Sequence, residues 1–136
     1  METYLTTDIN DLDVGGKYMH IYGTLQALVM QQDAVKLFAR TIEVKYPDDP
    51  WLSKIRKYRN QTLGHLPKHG GGKSGALHFI KRDSITATGF ELGTIHVKGK
   101  SAAFKTVDIS QLIREQRDIF TSVFLRVIHE VRREDM

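Results

Sequence analysis

The hydrophobic period of this chain changes twice, and those changes constrain its fold more than any other feature. In "KYMHIYGTLQALVMQQDAVKLFARTIEV", Tyr18, Ile21, Leu25, Leu28, Val35, Phe38 and Ile42 recur at spacings of 3, 4 and 7. That is one face of a helix, predicted over roughly 16 to 44. Gly23 lies inside it and costs about 1 kcal/mol relative to alanine, which fits close helix packing. Gln32 falls in the apolar stripe, so its amide needs partners. "YPDDP" breaks the pattern, and Asp49 followed by Pro50 is a helix start, with Asp as N-cap and Pro at the first helical position. The second helix runs through "WLSKIRKYRNQTL", with Trp51, Leu52, Ile55, Tyr58 and Thr62 or Leu63 on its apolar side. Gly64 and Pro67 mark its stop.

From residue 76 the period is no longer helical. "ALHFIKR", "ITATGFELGTIHVKG" and "SAAFKTVDI" are rich in β-branched and aromatic residues, with glycines at turn-like positions. They predict an antiparallel meander of two or three strands over 76–107. The helical period returns in "DISQLIREQRDIFTSVFLRVIHEVRRE". There Asp108 and Gln111 fit a capping box, and an apolar face runs from Ile109 to Val131. The expected fold is mainly α: a helical bundle with a small antiparallel sheet inserted before the C-terminal helix. At 136 residues it is one domain, with residues 1–15 a polar N-terminal arm.

Composition removes several kinds of chemistry. There is no cysteine, which excludes thiol catalysis, cysteine zinc sites and a disulfide framework, and fits a reducing cytosol. The N-terminal "METYLTTDINDLDVGG" lacks the apolar core of a signal peptide. No apolar run approaches the roughly 20 residues that span a bilayer, so the expected location is cytoplasmic, with no membrane partner. A net charge of +4 is a mild lean toward polyanions. No pair among the six histidines has metal-ligand spacing on a helix, and Pro67 separates His65 from His69; no metal or other cofactor is expected. "GGGKS" resembles the end of a phosphate-binding loop, but Pro67 stands where the first glycine belongs, and the stretch follows a helix rather than a strand.

The residues that carry chemistry lie where the second helix stops. Arginine is a permanent cation with a planar fork suited to phosphate, and histidine exchanges a proton near neutral pH. Arg59 and His65 therefore supply the parts for metal-free RNA cleavage: a base for the ribose 2′-hydroxyl and a cation for the charge developing on phosphate. On an ideal helix they point about 120° apart, so they converge only if the chain leaves the helix near Gly64. Taken singly, Arg59 and Asn60 read as a solvated helix face, and Tyr58 as core. Gln32 and Asp33 read as a core amide and a surface acid, with a buttress for Arg59 as the sharper alternative.

"RNQTLGH", an R-N-x-x-x-x-H pattern, resembles the Arg-x(4–6)-His motif of HEPN-domain proteins, in which the residue after the arginine is typically polar. The helix carrying "YGTLQALVMQQDAVKLF" is similar to helices of bacterial HEPN-like proteins linked to phage defence. The resemblance covers the helical parts, about 16–66 and 108–133, and does not supply the sheet. It implies a homodimer with two motifs facing each other in one composite site. It also implies metal-independent endoribonuclease activity leaving a 2′,3′-cyclic phosphate or its 3′-phosphate product, in a phage-defence or toxin effector. Arg59 would be the phosphate cation, His65 the general base or the group that orients the 2′-hydroxyl, and Asn60 the residue that orients them. Apart from the resemblance, "KHGGGKSG" reads as a flexible surface loop, and its Lys68, His69 and Lys73 carry charge that would guide an RNA strand without specificity. A neutralising or activating protein partner would fit such an effector. HEPN toxins silenced by nucleotidyl transfer carry a tyrosine two residues after the histidine. Pro67 stands there in this chain, so the resemblance does not extend to that regulation. One alternative is a HEPN-like module that does not cut and serves dimerisation, RNA binding or ligand sensing; another is a structural helical protein unrelated to that family.

Overall fold

The computed structural model describes residues 8–63, 75–96, 98 and 101–136. Among these residues three helices pack around a main apolar core and a smaller second cluster, and a three-stranded sheet covers the main core. Helix α1 spans Val14–Thr41, α2 Pro50–Thr62 and α3 Ile109–Glu134; strands β1 Ala76–Ile80, β2 Gly89–His96 and β3 Ala102–Asp108 form an antiparallel sheet in the order β1-β2-β3. The mainly helical architecture with a meander before the last helix is as expected.

Each helix start has an aspartate for a physical reason: its carboxylate accepts a backbone N–H that the first turn cannot satisfy. Asp13 accepts from Gly16 N at 2.7 Å, Asp49 from Trp51 N at 2.9 Å, and Asp108 from Gln111 N at 2.9 Å. Helix α1 stops at Thr41, earlier than its apolar period suggested. Glu43 takes a left-handed conformation (φ 58°), Val44 N donates to Ala39 O and Glu43 N to Arg40 O. This closes the last turn with a non-glycine residue. The expected arm also ends sooner: Ile9 is buried in a short 3-10 turn that Asp8 caps.

Helix α2 runs back along α1, and α3 runs parallel to α1. The Gln32 amide meets the Leu52 carbonyl, the Gln116 amide meets Leu28, and the Phe38 and Phe124 rings lie 5.9 Å apart. The main core joins Ile21, Leu25 and Leu28 of α1 to Ile55 and Tyr58 of α2, and to Ile109 and Leu112 of α3. Ile80, Phe90, Leu92 and Val107 complete it from the inner face of the sheet. A second cluster, Val35, Leu52, Phe120 and Val123, seals the other end. Phe38, Ile42, Leu63, Phe124 and Val131, all placed on apolar stripes from the sequence, are exposed. The stripes of α1 and α3 continue past the point where the partner helix stops covering them.

On the outer sheet face Phe79 lies across Gly93 and meets Phe104 edge-on at 6.1 Å. No helix among the described residues is long and apolar enough to cross a membrane.

Candidate functional site

Helix α2 presents two arginines one turn apart, and the fold treats them differently. Arg56 is tied down: Nε donates to Gln32 Oε1 at 2.9 Å, and Nη2 pairs with Asp33. Arg59 is not. It follows Leu52 and Ile55 and precedes Thr62 at helical spacings of 7, 4 and 3, and all three neighbours are buried. Arg59 therefore lies in the inner row of α2, half-buried, not on the solvated face that its charge suggested. Its Nε is buried and has no hydrogen-bond partner among the described residues. It also has no ion pair among them.

A cation in the last turn of a helix is favoured by the partial negative charge there, by about 0.3–1 kcal/mol. That term explains the choice of an arginine and leaves its fork open. The last turn is braced by Thr62 Oγ1, which donates to the Arg59 carbonyl at 3.0 Å. Asn60 is exposed, one step round the helix from Arg59, on the edge it shares with Arg56. Tyr58 is core, as expected, with the Lys105 ammonium of β3 5.5 Å from its ring centre. The buttress of Gln32 and Asp33 exists but holds Arg56 rather than Arg59. His65, Lys68, His69 and Lys73 lie outside the described residues.

Comparison of the chain with protein-family models, with curated proteins and with solved structures finds no match.

Two arrangements near α2 were not legible in the sequence. The first is a buried amide chain. Gln32 Nε2 donates to Gln116 Oε1 at 2.8 Å, and Gln116 Nε2 donates to Gln31 Oε1 at 2.8 Å. Together with Arg56 and Asp33 it ties α1, α2 and α3 beside the inner row of α2. The second is an open cleft of about 580 Å³ at the start of α2, lined by Gln32, Asp33, Lys36, Tyr46, Asp48 and Arg56 among others. Arg59 does not line it. Burial raises the Tyr46 phenol above its usual range, Arg56 opposes that shift, and Asp33 adds to it. Apart from these two, a histidine lies between α2 and the sheet. His78 Nδ1 is 2.9 Å from Thr94 Oγ1. Burial first, then Lys57 and His96, hold its imidazole below the ordinary histidine range.

Proposed function

We propose that the chain is a metal-independent endoribonuclease of HEPN type, with Arg59 and His65 as its catalytic pair and Asn60 orienting them. The observation that carries the reading is the state of Arg59: a guanidinium in the inner row of α2, its Nε buried and without a hydrogen-bond partner among the described residues. Leaving a buried N–H without an acceptor costs about 1–3 kcal/mol. A phosphate oxygen is the acceptor that such a fork fits.

In this reading Arg59 binds the scissile phosphate and meets the negative charge that grows on its oxygens. His65 takes the 2′-hydroxyl proton. The freed oxygen attacks the adjacent phosphorus, the bond to the 5′-oxygen breaks, that oxygen takes a proton from water and leaves as a hydroxyl, and a 2′,3′-cyclic phosphate remains. Lys68, His69 and Lys73 attract the strand electrostatically, and two copies of the chain bring their motifs into one composite site. The effector role in phage defence or as a toxin rests on the same resemblance.

The cleft beside Arg56 favours a second reading, a HEPN-like module that senses a small polar ligand and does not cut. Expression in a bacterial host separates the two. The ribonuclease reading requires growth arrest that His65→Ala and Arg59→Met both relieve at equal protein level. Arrest that persists in both variants contradicts it.

A further inference from the structure

The inner face of the sheet changes character along its length. One end is apolar, where Ile80, Phe90, Leu92 and Val107 close the core. Side chains alternate between the two faces of a strand, so the same face continues into His78 on β1, Thr94 and His96 on β2, and Lys105 on β3. Helix α2 adds Lys54 and Lys57 from the flank that meets the sheet. The ammonium groups of Lys54 and Lys105 lie 6.0 and 5.5 Å from the ring centre of Tyr58. Lys57 and His96 both act on the His78 imidazole through their charge. Three lysines and two histidines, drawn from one helix and all three strands, therefore meet along one seam.

No carboxylate offsets them. Among the described residues Lys54, Lys57 and Lys105 form no ion pair and donate no hydrogen bond. Other cations of the chain are treated differently. Lys81 on the outer sheet face pairs with Glu91 at 3.0 Å, and α3 sets Arg117 beside Asp118 and Arg133 beside Glu130. An aromatic ring attracts an ammonium through its face, but leaves the N–H donors open to an anionic acceptor. A groove lined by one sign of charge concentrates partners of the opposite sign.

We propose that this seam between α2 and the sheet binds the phosphate backbone of an RNA strand, with Lys54, Lys57 and Lys105 as its phosphate contacts. A lysine ammonium recognises a phosphate as a point charge. The seam offers a protein partner little, because protein interfaces are anchored by large apolar or aromatic side chains. Here the rings lie beneath the charges: Tyr58 is buried, and Trp51, 4.5 Å from the Lys54 ammonium, is partly buried. The seam is also separate from Arg59. Lys57 and Arg59 are two residues apart, about 200° round the helix, so they lie on different flanks of α2. The seam holds the strand and takes no part in breaking it. It stands on the distribution of charge; only the choice of RNA over DNA rests on the ribonuclease reading.

Fluorescence anisotropy with a labelled single-stranded 2′-O-methyl RNA tests it. That RNA lacks the 2′-hydroxyl nucleophile, so binding is read apart from cleavage. The variant carrying Lys54→Gln, Lys57→Gln and Lys105→Gln is expected to bind about 100-fold more weakly at about 0.1 M salt, and its slope of log affinity against log salt is expected to be shallower by about 2. Its far-UV circular dichroism is expected to match that of the wild type. Replacing the same three lysines by arginine is expected to restore the slope. Arg114→Gln, Arg117→Gln and Arg126→Gln on α3 together remove the same net charge, and are expected to change the slope by less than about 0.5. A wild type that does not bind the RNA overturns the proposal. So does a slope that the lysine variant leaves intact, or one that both glutamine variants reduce equally. Binding of poly-glutamate in place of the RNA makes the seam a protein-docking surface and overturns it too. The expected binding, without cleavage of natural RNA, removes the ribonuclease reading and leaves the seam standing. Cleavage by the wild type, with an unaltered slope in the lysine variant, does the reverse.

Discussion

Replacing Gln116 by leucine removes three hydrogen bonds from the centre of the helical layer and very little volume. Its Nε2 serves Leu28 O at 3.0 Å and Gln31 Oε1 at 2.8 Å, and its Oε1 accepts from Gln32 Nε2 at 2.8 Å. The losses are unequal. Leu28 O keeps its place in the backbone ladder of α1, and Gln31 is exposed and turns to water. Gln32 is only 1% exposed, so one of its amide hydrogens is left without an acceptor. That orphan costs about 1–3 kcal/mol, and the lost bonds raise the total to about 2–4 kcal/mol. Gln32→Leu has a similar cost, because it strands the Oε1 of Gln116, which is 0% exposed. The double variant strands neither, so its cost falls short of the sum by about 2 kcal/mol, within the range for groups in direct contact. Urea unfolding of the four proteins measures this. Protein concentration is held the same for all four. Additive costs, or single variants that lose less than about 0.5 kcal/mol, would refute the account of this network.

Arg59→Met removes a side chain whose Nε has no partner among the described residues. Relief of the orphaned N–H, about 1–3 kcal/mol, exceeds the lost helix-end term of about 0.3–1 kcal/mol, so the variant's stability should equal or exceed that of wild type, while RNA cleavage falls by about 10²–10³-fold; a large drop in melting temperature would show that Arg59 holds the fold instead. Gly89→Ala places a methyl group on the Val107 carbonyl oxygen, with Asp108 Cα at 3.2 Å. Backbone on both sides cannot yield, so the cost is about 2–3 kcal/mol by thermal unfolding, and a neutral outcome would dispute the β2–β3 register. His78 is held below the ordinary histidine range, so the folded state favours its neutral form. The stability this brings is complete above about pH 6.5, the unfolded value, and is lost as pH falls below it. His78→Gln should flatten the decline in melting temperature on acidification, and an unchanged profile would contradict the assignment.

Local signals were legible in the sequence, and the structure bears them out. Asp49 and Asp108 cap because a carboxylate before a helix has one physical use there. The meander follows from β-branched residues separated by glycines. What the sequence hid depends on contacts between distant residues. Gln32 announced a need for partners, but Gln116 comes from α3, and no local rule links them. Phe38, Ile42 and Val131 carry the period of the core yet are exposed, because periodicity reports a face and not how far the neighbouring helix reaches. Arg59 was legible as a candidate by residue type and its place before the helix stop. Its burial was not, because a charge on α2 reads as solvated until the inner row is fixed by Leu52, Ile55 and Thr62.

Cleavage of RNA in EDTA tests the central claim most directly. Wild type, Arg59→Met and His65→Ala, purified identically, are incubated with labelled single-stranded and hairpin RNAs, and the product ends are identified. The account predicts 2′,3′-cyclic phosphate ends, or the 3′-phosphates derived from them, from the wild type alone. Intact RNA from a folded wild-type protein, or equal cleavage by all three, would contradict it.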